Sequence, residues 1–432
     1  MRKLLLLLNK MFPNQKYLEN IEIGKVSVDS RNIKKNDIFI GIRGGNEYIQ
    51  DVLKKGVCLA FYDDKNIIIE DKRAIYVKNS ILFLQELAKK YRKSLDLTVI
   101  GITGSEGKTS TKDILYSILI QKYKGKKTQG NYNNHIGLPL TLLGLKEEDK
   151  FVSLEMGMSN LGEIRLLGEL ANPDYAIITN IGDSHLEFLE NRDNVFKAKT
   201  EIFEFVSSEF RIVYGDDPYL KKIKAIKVGE NRENSYSIND FFQDERGAKF
   251  ELSFFNEKMK METNLYGEYN AINIALASVV ALKMGLSKNE ILYACKNLKL
   301  TGMRFERIEK DNKIFINDAY NASPVAMKVS LETFNEIFKH NYKVVILGDM
   351  LELGKQSKKF HEELSGTIEK LNLNEVYLIG KEMENLFLKL NHKNCFYFES
   401  IEEIKIKIKK IEKGAIIFLK ASNGVCLNKI LN

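Results

Sequence analysis

A long apolar run that leads into a glycine-rich turn restricts the fold of this chain more than any other sequence feature. Leu97 to Thr103 is almost entirely apolar, Gly104, Gly107 and Lys108 follow, and a helical segment extends from Thr109 to about Ile120. Such a run is typical of a strand that is buried on both faces of a parallel sheet. The order of strand, glycine loop and helix therefore predicts an α/β domain with the loop at the carboxyl end of a central strand.

The residues that follow repeat this alternation. Apolar runs at Phe151 to Glu155 and Tyr175 to Thr179 are separated by helical segments, and an alanine-rich helix from Asn270 to Met284 lies near the end of the region. Strands that alternate with helices are the βαβ pattern of a parallel sheet. We predict a central parallel-sheet domain that carries a phosphate loop over residues 96–299.

Segments with the same α/β character flank the central one. Residues 1–95 contain a helix from Ser80 to Lys93 with apolar side chains at helical spacing, and four short β-like runs at 25–29, 37–42, 57–62 and 74–77. Over residues 300–432, helices alternate with five strands at 313–317, 343–347, 375–379, 394–398 and 415–419. We predict a small N-terminal α/β domain and a C-terminal, Rossmann-like doubly wound domain, which gives three domains in all.

Composition limits the classes to which the chain can belong. Its 432 residues exceed one core, and 44% hydrophobic with 29% charged residues indicate a globular protein. The net charge of +8 is spread over single lysines, whereas nucleic-acid-binding proteins more often show a dense basic patch. No apolar stretch approaches the roughly 20 residues of a membrane span, and the leucines at 4–8 are too few for a signal peptide. The four cysteines lie far apart, which indicates reduced thiols in a cytoplasmic protein.

The glycine loop has the chemistry needed to hold a triphosphate. Glycines let backbone N–H groups turn toward phosphate oxygens, Lys108 can reach the β- and γ-phosphates, and the Thr109 hydroxyl can bind Mg²⁺. We predict that the loop residues bind ATP: Gly104, Ser105, Glu106, Gly107, Lys108, Thr109 and Ser110. The spacing between the two glycines is shorter than in the standard phosphate loop, so a tight strand–helix turn with an incidental lysine is the alternative interpretation.

Two more side chains follow the predicted strands of the central domain. Glu155 ends the second apolar run, and His185 follows the third in the stretch that begins at Asn180. Ligands of open α/β sheets gather outside the carboxyl ends of the strands, so these groups should converge with the phosphate loop. Because Mg²⁺ prefers hard oxygen ligands together with phosphates, Glu155 has an obvious use there. Taken singly, each would be a solvated carboxylate or a structural histidine.

The contracted motif Thr-Gly-x-x-Gly-Lys-Thr at residues 103–109 resembles that of the Mur ligase family and the related folylpolyglutamate synthases. The resemblance implies ATP and Mg²⁺ as cofactors, with metal ligands at Thr109, Glu155, His185 and Lys199. Lys199 lies in an Ala-Lys-x-Glu-Ile context and by resemblance would react with CO₂ to give an anionic carbamate. Lys197 is the competing candidate. The implied catalytic residues are Lys108, Glu155, His185 and Lys199.

Further stretches resemble the nucleotide and substrate segments of the same family. The segment from Thr128 to Pro139 implies substrate contacts by Thr128, Asn133 and Asn134. Gly267 to Asn273 resembles Gly-x-His-Asn-x-x-Asn, which implies that Asn270 and Asn273 address adenine, although Tyr269 replaces the usual His. By the same resemblance, Arg304 would bind a phosphate group, and Asp318 would accept hydrogen bonds from the ribose hydroxyls.

Other motifs indicate the branch of the family that adds D-alanyl-D-alanine to UDP-N-acetylmuramoyl-tripeptide. Asn317 to Pro324 and Leu347 to Gly354, with His361 beyond, resemble its C-terminal stretches, and Val26 to Arg31 resembles its uridine-diphosphate-binding start. Substrate contacts are thereby implied for four residues: Ser30, Arg31, Asn321 and Asp349. Two departures are Asn46–Ile49, where Gly-His-Asp-Phe is expected, and Lys420–Asn423, where the branch usually has Lys-Gly-Ser-Arg.

The resemblance implies an ADP-forming ligase of cytoplasmic peptidoglycan precursor synthesis that works through an acyl phosphate. Its expected partners are UDP-N-acetylmuramoyl-tripeptide and D-alanyl-D-alanine, with no nucleic acid and no membrane span, and we expect a monomer. One alternative is another ligase of this fold, which adds a different amino acid or acts like a folylpolyglutamate synthase. A regulatory phosphate-loop ATPase is an alternative of a different class.

Overall fold

A computed structural model describes residues 2–13, 22–183 and 186–431, with the side chains of 186 and 187 left out. Its contacts divide the chain into two compact units. The first unit takes the described residues within Met1–Thr103, Leu119–Ile177 and Ala198–Arg211, and the second takes those within Gly104–Ile118, Ile178–Lys197 and Ile212–Asn432. These units are not the three predicted segments, whose boundaries at 95/96 and 299/300 stay predictions.

The N-terminal 95 residues contain short strands and two longer helices. Their elements are α1 (Arg2–Met11), β1 (Val26–Ser27), β2 (Ile38–Ile40), α2 (Ile49–Lys54), β3 (Leu59–Tyr62), β4 (Ala74–Tyr76) and α3 (Ser80–Ser94). The four strands form a parallel sheet in the order β1-β2-β3-β4. All four predicted strands and the predicted helix are thus confirmed. The N-terminal leucines lie in an amphipathic helix, in which Leu4 and Leu8 are buried whereas Leu6 is exposed.

The central residues alternate strands with helices as predicted. Up to residue 200 the elements are β5 (Thr98–Thr103), α4 (Lys108–Leu119), β6 (Gly125–Lys127), α5 (Gly137–Leu143), β7 (Phe151–Glu155), α6 (Glu163–Ala171), β8 (Tyr175–Ile178), α7 (Leu186–Leu189) and α8 (Arg192–Thr200). Neighbouring strands run in the order β8-β5-β7-β6, and β7 is parallel to both β5 and β6. Every residue of β7 is buried, as expected for a strand covered on both faces.

A second group of central elements belongs, apart from its first residue Arg211, to the second unit. It comprises β9 (Arg211–Tyr214), β10 (Ile226–Gly229), β11 (Tyr236–Asp244), β12 (Gly247–Phe254), β13 (Glu257–Thr263), α9 (Glu268–Lys283) and α10 (Lys288–Cys295). Strands β11, β12 and β13 form an antiparallel meander that sequence analysis did not predict. The alternation Lys258-Met259-Lys260-Met261 was the available signal, since β13 buries Met259 and Met261 while Lys258 and Lys260 are exposed.

The C-terminal elements form the predicted doubly wound arrangement. They are β14 (Glu306–Lys310), β15 (Lys313–Asn317), α11 (Pro324–Ile337), β16 (Lys343–Gly348), α12 (Ser357–Glu363), α13 (Ser365–Ile368), β17 (Glu375–Ile379), α14 (Met383–Lys389), β18 (Cys395–Phe398), α15 (Ile401–Lys409) and β19 (Ile416–Lys420). The sheet order is β14-β15-β19-β16-β17-β18, in which β14 is antiparallel to β15 and the other neighbours are parallel.

Both faces of this C-terminal sheet are covered. In β16, Val345 and Leu347 pack into a core with α11, α13 and α14, whereas Val344 and Ile346 pack into a second core with α15. Because side chains alternate along a strand, each face receives every second residue. The five predicted strands of this domain are confirmed to within a residue or two, and its polar loops lie at the strand ends that carry Asp318 and Asp349.

Candidate nucleotide and ligase site

The phosphate loop connects β5 to α4 and contains two glycines in conformations that other residues rarely adopt. Gly104 has φ +147 and Gly107 has φ +80. A Cβ atom on Gly107 would lie 2.8 Å from Oδ1 of Asn273, and one on Gly104 would overlap Oγ1 of Thr179. Both positions thus require glycine on grounds of conformation and of space. The predicted loop is confirmed as a loop that opens a helix.

The loop is held by the residues that follow β8. The backbone N–H of Glu106 donates to Oδ1 of Asn180 at 2.9 Å, and the Ser105 N–H donates to the Asn180 carbonyl at 3.1 Å. Gly182 N–H donates to Ser105 Oγ at 2.8 Å. The predicted convergence of this stretch with the phosphate loop is confirmed for Asn180. His185, which was predicted further along the same stretch, lies outside the described residues.

Lys108 and the first residues of α4 lie inside the second unit. The Nζ atom of Lys108 donates to the carbonyls of Gly104 and Ser105 at 2.7 and 2.8 Å, so the lysine folds back over its own loop. Thr109 and Ser110 are buried. The ammonium group is thus held against the loop, and a lysine at this position of a phosphate loop can reach the β- and γ-phosphates.

One cavity collects most of the residues that were predicted to bind nucleotide. It lies entirely in the second unit, and its lining includes these predicted residues: Glu106, Gly107, Ser110, Asn270, Asn273, Arg304, Asp318 and Asn321. Sequence analysis did not predict several further lining residues: Thr179, Tyr214, Tyr320, Ser330 and Lys420. Residues far apart in sequence therefore share one cavity beside the phosphate loop.

The asparagine pair on α9 supports the phosphate-loop helix. Both side chains are buried, and Asn273 Oδ1 accepts a hydrogen bond from Thr111 Oγ1 at 3.0 Å. Asn270 Nδ2 donates to the carbonyl of Tyr266 at 2.9 Å. Next to the pair, burial raises the pKa of Tyr269 well above that of a free tyrosine, so its hydroxyl stays protonated where the family has a histidine.

Asp318 lies at the centre of a polar cluster. Its Oδ1 accepts from Phe305 N–H at 3.0 Å, while its Oδ2 accepts from Lys420 Nζ at 2.6 Å and from Ser330 Oγ at 2.8 Å. Both partners of the ion pair are largely buried, with side-chain exposures of 4% for Lys420 and 14% for Asp318. The carboxylate thus has protein partners on both oxygens, and Lys420 is held against the cavity.

Arg304 forms another wall of this cavity. Its guanidinium lies over the Tyr320 ring, 4.0 Å from the centroid. The Nε atom of Arg304 is buried and makes no hydrogen bond within the described part of the chain. A stacked, always charged guanidinium with hydrogen-bonding capacity left over is suited to an anionic ligand such as a phosphate group.

In the first unit, a second polar cluster surrounds the end of β7. Glu155 is 3% exposed, and its Oε1 accepts from Asn133 Nδ2 at 3.1 Å. Glu155 N–H donates to Thr128 Oγ1 at 3.0 Å, and Gly157 N–H donates to the Asn133 carbonyl at 2.9 Å. Two of the predicted substrate residues thus hold the predicted metal ligand. The third predicted substrate residue of this segment, Asn134, instead contacts the beginning of a helix: its Oδ1 accepts from the N–H groups that start α5.

The two candidate lysines of α8 differ in their environment. Lys199 is 2% exposed, whereas Lys197 is exposed to solvent. No group of three or more His, Cys, Asp or Glu side chains that could hold a metal occurs among residues 2–13, 22–183 and 188–431. The donors predicted for Mg²⁺ include a hydroxyl and a modified lysine, which such a group would not contain.

The predicted substrate residues of the N-terminal sheet lie on a loop of the first unit. Arg31 pairs with Asp29, with 2.9 Å between Nε and Oδ1, and hydrogen bonds from Arg31 lower the pKa of that carboxyl. The Arg31 side chain is 86% exposed. The Ser30 carbonyl accepts from Lys55 Nζ at 2.8 Å. An exposed guanidinium beside a short helical turn is available to an anionic group.

Three C-terminal loops meet at Ser422. Its N–H donates to the Asp349 carbonyl at 3.0 Å, its Oγ accepts from Leu351 N–H at 2.9 Å, and the same Oγ donates to the Ala322 carbonyl at 3.4 Å. Asp349 itself is nearly buried, and its Oδ1 accepts from the N–H of Met383 at the start of α14. The predicted residues Asn321 and Asp349 are therefore on loops that Ser422 connects.

His361 belongs to a motif that was noted in the sequence, but the sequence did not indicate a role for it. The side chain is fully buried, its Nε2 accepts from Met350 N–H at 3.0 Å, and its Nδ1 lies 2.8 Å from the Ser357 carbonyl. An imidazole that accepts at Nε2 and donates at Nδ1 is neutral. It fixes the loop that follows Asp349.

No helix within the described residues is long and apolar enough to cross a membrane. Family profiles match most of the chain. The profile described as Mur ligase middle domain matches residues 102–281, and the one described as Mur ligase, glutamate ligase domain matches residues 303–423.

Individual relatives extend the similarity to nearly the full length. The chain is 35% identical to the UDP-N-acetylmuramoyl-tripeptide–D-alanyl-D-alanine ligase of Bacillus subtilis, over 97% of this chain and 94% of the relative. It is 32% identical to the ligase of the same name from Rickettsia prowazekii, over 96% and 95%. It is also similar to the solved structure of the MurF ligase of Thermotoga maritima in complex with ADP, with a TM-score of 0.84, 29% identity and coverage of 94% of this chain and 96% of that one.

Proposed function

The chain belongs to the Mur ligase family, and we propose that it joins D-alanyl-D-alanine to UDP-N-acetylmuramoyl-tripeptide while ATP is converted to ADP and phosphate. The observation that carries the proposal is the cavity of the second unit. It brings phosphate-loop residues, the α9 asparagines, Arg304 and Asn321 to one place. A nucleotide and the reacting end of a peptide need such a combination, whereas a simple strand–helix turn does not.

The residues of this cavity fit a nucleoside triphosphate. Gly107 leaves no side chain between the loop and the cavity, and Arg304 keeps a buried Nε without a protein partner in the described regions. Lys108 would exchange its bonds to the loop carbonyls for bonds to the β- and γ-phosphates, and would stabilise charge on the phosphoryl group during transfer. Asn270 and Asn273 would border the adenine, with Asp318 near the ribose.

Mg²⁺ is the metal that the proposed chemistry requires, and three of the four proposed ligands are the hard oxygen donors that it prefers. They are the Thr109 hydroxyl, the Glu155 carboxylate and a carbamate on Lys199, together with His185 from the family resemblance. Bound Mg²⁺ would screen the charges of the triphosphate and the substrate carboxylate. Asn133 supports this assignment because it orients Glu155 from the side of the predicted substrate segment.

A carbamate forms when an uncharged lysine amine attacks CO₂ and loses a proton. Lys199 is buried whereas its neighbour Lys197 is exposed, and this difference supports Lys199 as the modified residue. We expect Lys199→Ala to lose activity and to regain part of it when short-chain carboxylates are added. Lys197→Ala is the matched control and should keep activity. Full activity of the unsupplemented Lys199→Ala variant would remove this lysine from the scheme.

In the proposed reaction, the terminal carboxylate of the tripeptide attacks the γ-phosphorus of ATP, and ADP leaves. The amine of D-alanyl-D-alanine then attacks the acyl phosphate, and phosphate leaves as the amide forms. Asn321 and Asp349 would border the incoming dipeptide, on loops that Ser422 connects. In the first unit, Ser30 and Arg31 would contact the uridine diphosphate group, and Thr128, Asn133 and Asn134 the remainder of the substrate.

Release of ADP that depends on both substrates is the direct test. We expect the purified chain, with ATP and Mg²⁺, to release ADP only when UDP-N-acetylmuramoyl-tripeptide and D-alanyl-D-alanine are both present. Faster release with another amino acid or with a folate acceptor would identify a different ligase of this fold. ATP turnover without any acceptor would favour a regulatory ATPase. We further propose that the chain works in the cytoplasm as a monomer, which sizing of the purified protein checks.

A further inference from the structure

Glu106 places a carboxylate inside the phosphate loop, at a variable position of the motif. A negative charge there is unfavourable toward a triphosphate, because like charges repel at short range. The structure shows where this charge is directed: Oε1 of Glu106 accepts a hydrogen bond from Ser323 Oγ at 2.8 Å. The two residues are 217 positions apart and lie in segments matched by different family profiles.

The backbone of Glu106 is fixed independently of its side chain. Its N–H donates to Asn180 Oδ1 at 2.9 Å, and its carbonyl accepts from Thr179 Oγ1. The loop and the end of β8 therefore fix the position from which the Glu106 side chain extends. Glu106 is also only partly exposed, so its carboxylate is not a freely rotating surface group.

Ser323 is fixed as well. It is the N-cap of α11, where its Oγ accepts from Ala326 N–H at 3.3 Å and Pro324 occupies the first turn. A serine hydroxyl has one proton to donate, and here that proton goes to Glu106. Two residues before Ser323, the Asn321 carbonyl accepts from Lys420 Nζ at 3.2 Å. The contact with Glu106 thus acts on a short, well-anchored segment that lines the cavity.

We propose that Glu106 is a positioning residue, which holds the Asn321–Ser323 segment on the phosphate loop through its hydrogen bond to Ser323. The inference rests on the proposed function, since it is the incoming dipeptide that this segment would place beside the nucleotide. Loss of the contact lowers the rate of amide formation, because the segment is held less firmly in its place beside the loop. It does not weaken ATP binding, because removal of Glu106 also removes a negative charge near the phosphates.

The kinetic test separates kcat from KM. We expect Glu106→Ala to lower kcat about tenfold, the equivalent of one hydrogen bond of about 1.4 kcal/mol, with KM for ATP unchanged or lower. Glu106→Gln keeps an acceptor and should recover most of kcat, although a neutral hydrogen bond is roughly half as strong as a charged one. A rise in KM for ATP at constant kcat would overturn the proposal, since Glu106 would then act on the nucleotide itself.

A double-mutant cycle tests the pair. Ser323→Ala combined with Glu106→Ala should be no worse than the poorer single variant, because both remove the same contact. Ser400→Ala is the matched control: Ser400 also caps a helix of this region, α15, and donates to a glutamate, Glu403, without contacting the loop. It should keep wild-type kcat. Multiplicative losses in the double variant, or an equal loss in Ser400→Ala, would refute a specific contact.

Hydrogen exchange provides a readout that does not depend on the reaction. With ADP bound, the amides of residues 321–323, 325 and 326 should exchange faster in Glu106→Ala than in the wild type, and Glu106→Gln should restore their protection. Unchanged exchange in Glu106→Ala overturns the positioning role, whichever substrates the wild-type protein accepts. Absence of acceptor-dependent ADP release from the wild type would instead count against the proposed function.

Discussion

Replacement of Asp318 by Asn should destabilise the C-terminal sheet strongly. The substitution keeps the shape of the side chain but removes the negative charge that Lys420 Nζ contacts at 2.6 Å. Lys420 is 4% exposed on its side chain and cannot turn to solvent without disruption of its surroundings. Removal of one partner from a buried ion pair costs about 3–5 kcal/mol, since the other charge is left uncompensated. For a domain of this size, the midpoint Tm should fall by roughly 10–15 °C.

Calorimetry of the full chain measures this effect, and a second substitution tests its cause. Lys420→Met removes the ammonium group, so Asp318→Asn combined with Lys420→Met should be more stable than the sum of the two single losses predicts. We expect a coupling energy of about 1 kcal/mol or more, as for residues in direct contact. ADP added to each variant then separates stability from binding, because at a fixed concentration a ligand that binds the folded protein more tightly raises Tm further.

Two results would refute this reasoning. A Tm of Asp318→Asn within about 2 °C of the wild type would mean that the pair contributes little, as exposed ion pairs do. Strict additivity of the single variants would mean that Asp318 and Lys420 act independently. If ADP stabilised Asp318→Asn and the wild type equally, Asp318 would contribute to the stability of the domain and not to binding of the ribose.

Three further predictions concern separate regions. Gly107→Ala places a residue with φ +80 against the α9 asparagine amide. The strain of about 1–2 kcal/mol should raise KM for ATP about tenfold in steady-state kinetics. His361→Ala leaves a backbone N–H unsatisfied in a buried loop, and we expect thermal unfolding to show a loss of about 2–4 kcal/mol. Burial raises the pKa of Cys58 to about 11 and that of Cys295 to about 12. At pH 8 both should be alkylated more slowly than Cys426, as judged by mass spectrometry; equal rates would contradict the burial of these thiols.

Local sequence patterns are enough to predict a strand or helix when the signal comes from residues that are close together in the sequence. The strands Phe151–Glu155, Lys313–Asn317 and Glu375–Ile379 are predicted with the bounds that the structure gives. An apolar run or a two-residue alternation depends on residues within a few positions of one another. The antiparallel meander of β11–β13 carries the same kind of local signal, although it was not predicted.

Local patterns do not show which residues come together to form the site. Asn270 and Arg304 were assigned to the nucleotide by resemblance, and the structure places both on the cavity that Glu106 lines. Lys420 was noted only as part of a departure from the family, yet it contacts Asp318 across 102 residues of sequence. No spacing rule in one sequence can pair residues at that distance.

By itself, the sequence determined the order of strands and helices, the glycine loop and the residue types from which a ligase could be built, because these depend on short-range sterics and hydrophobic periodicity. Only the tertiary structure decided which side chains meet. It directs the Glu106 carboxylate to Ser323, binds both oxygens of Asp318 within the protein and buries Lys199 while Lys197 stays exposed. Such choices follow from the packing of distant segments, in which each buried polar group must find a partner wherever the fold brings one.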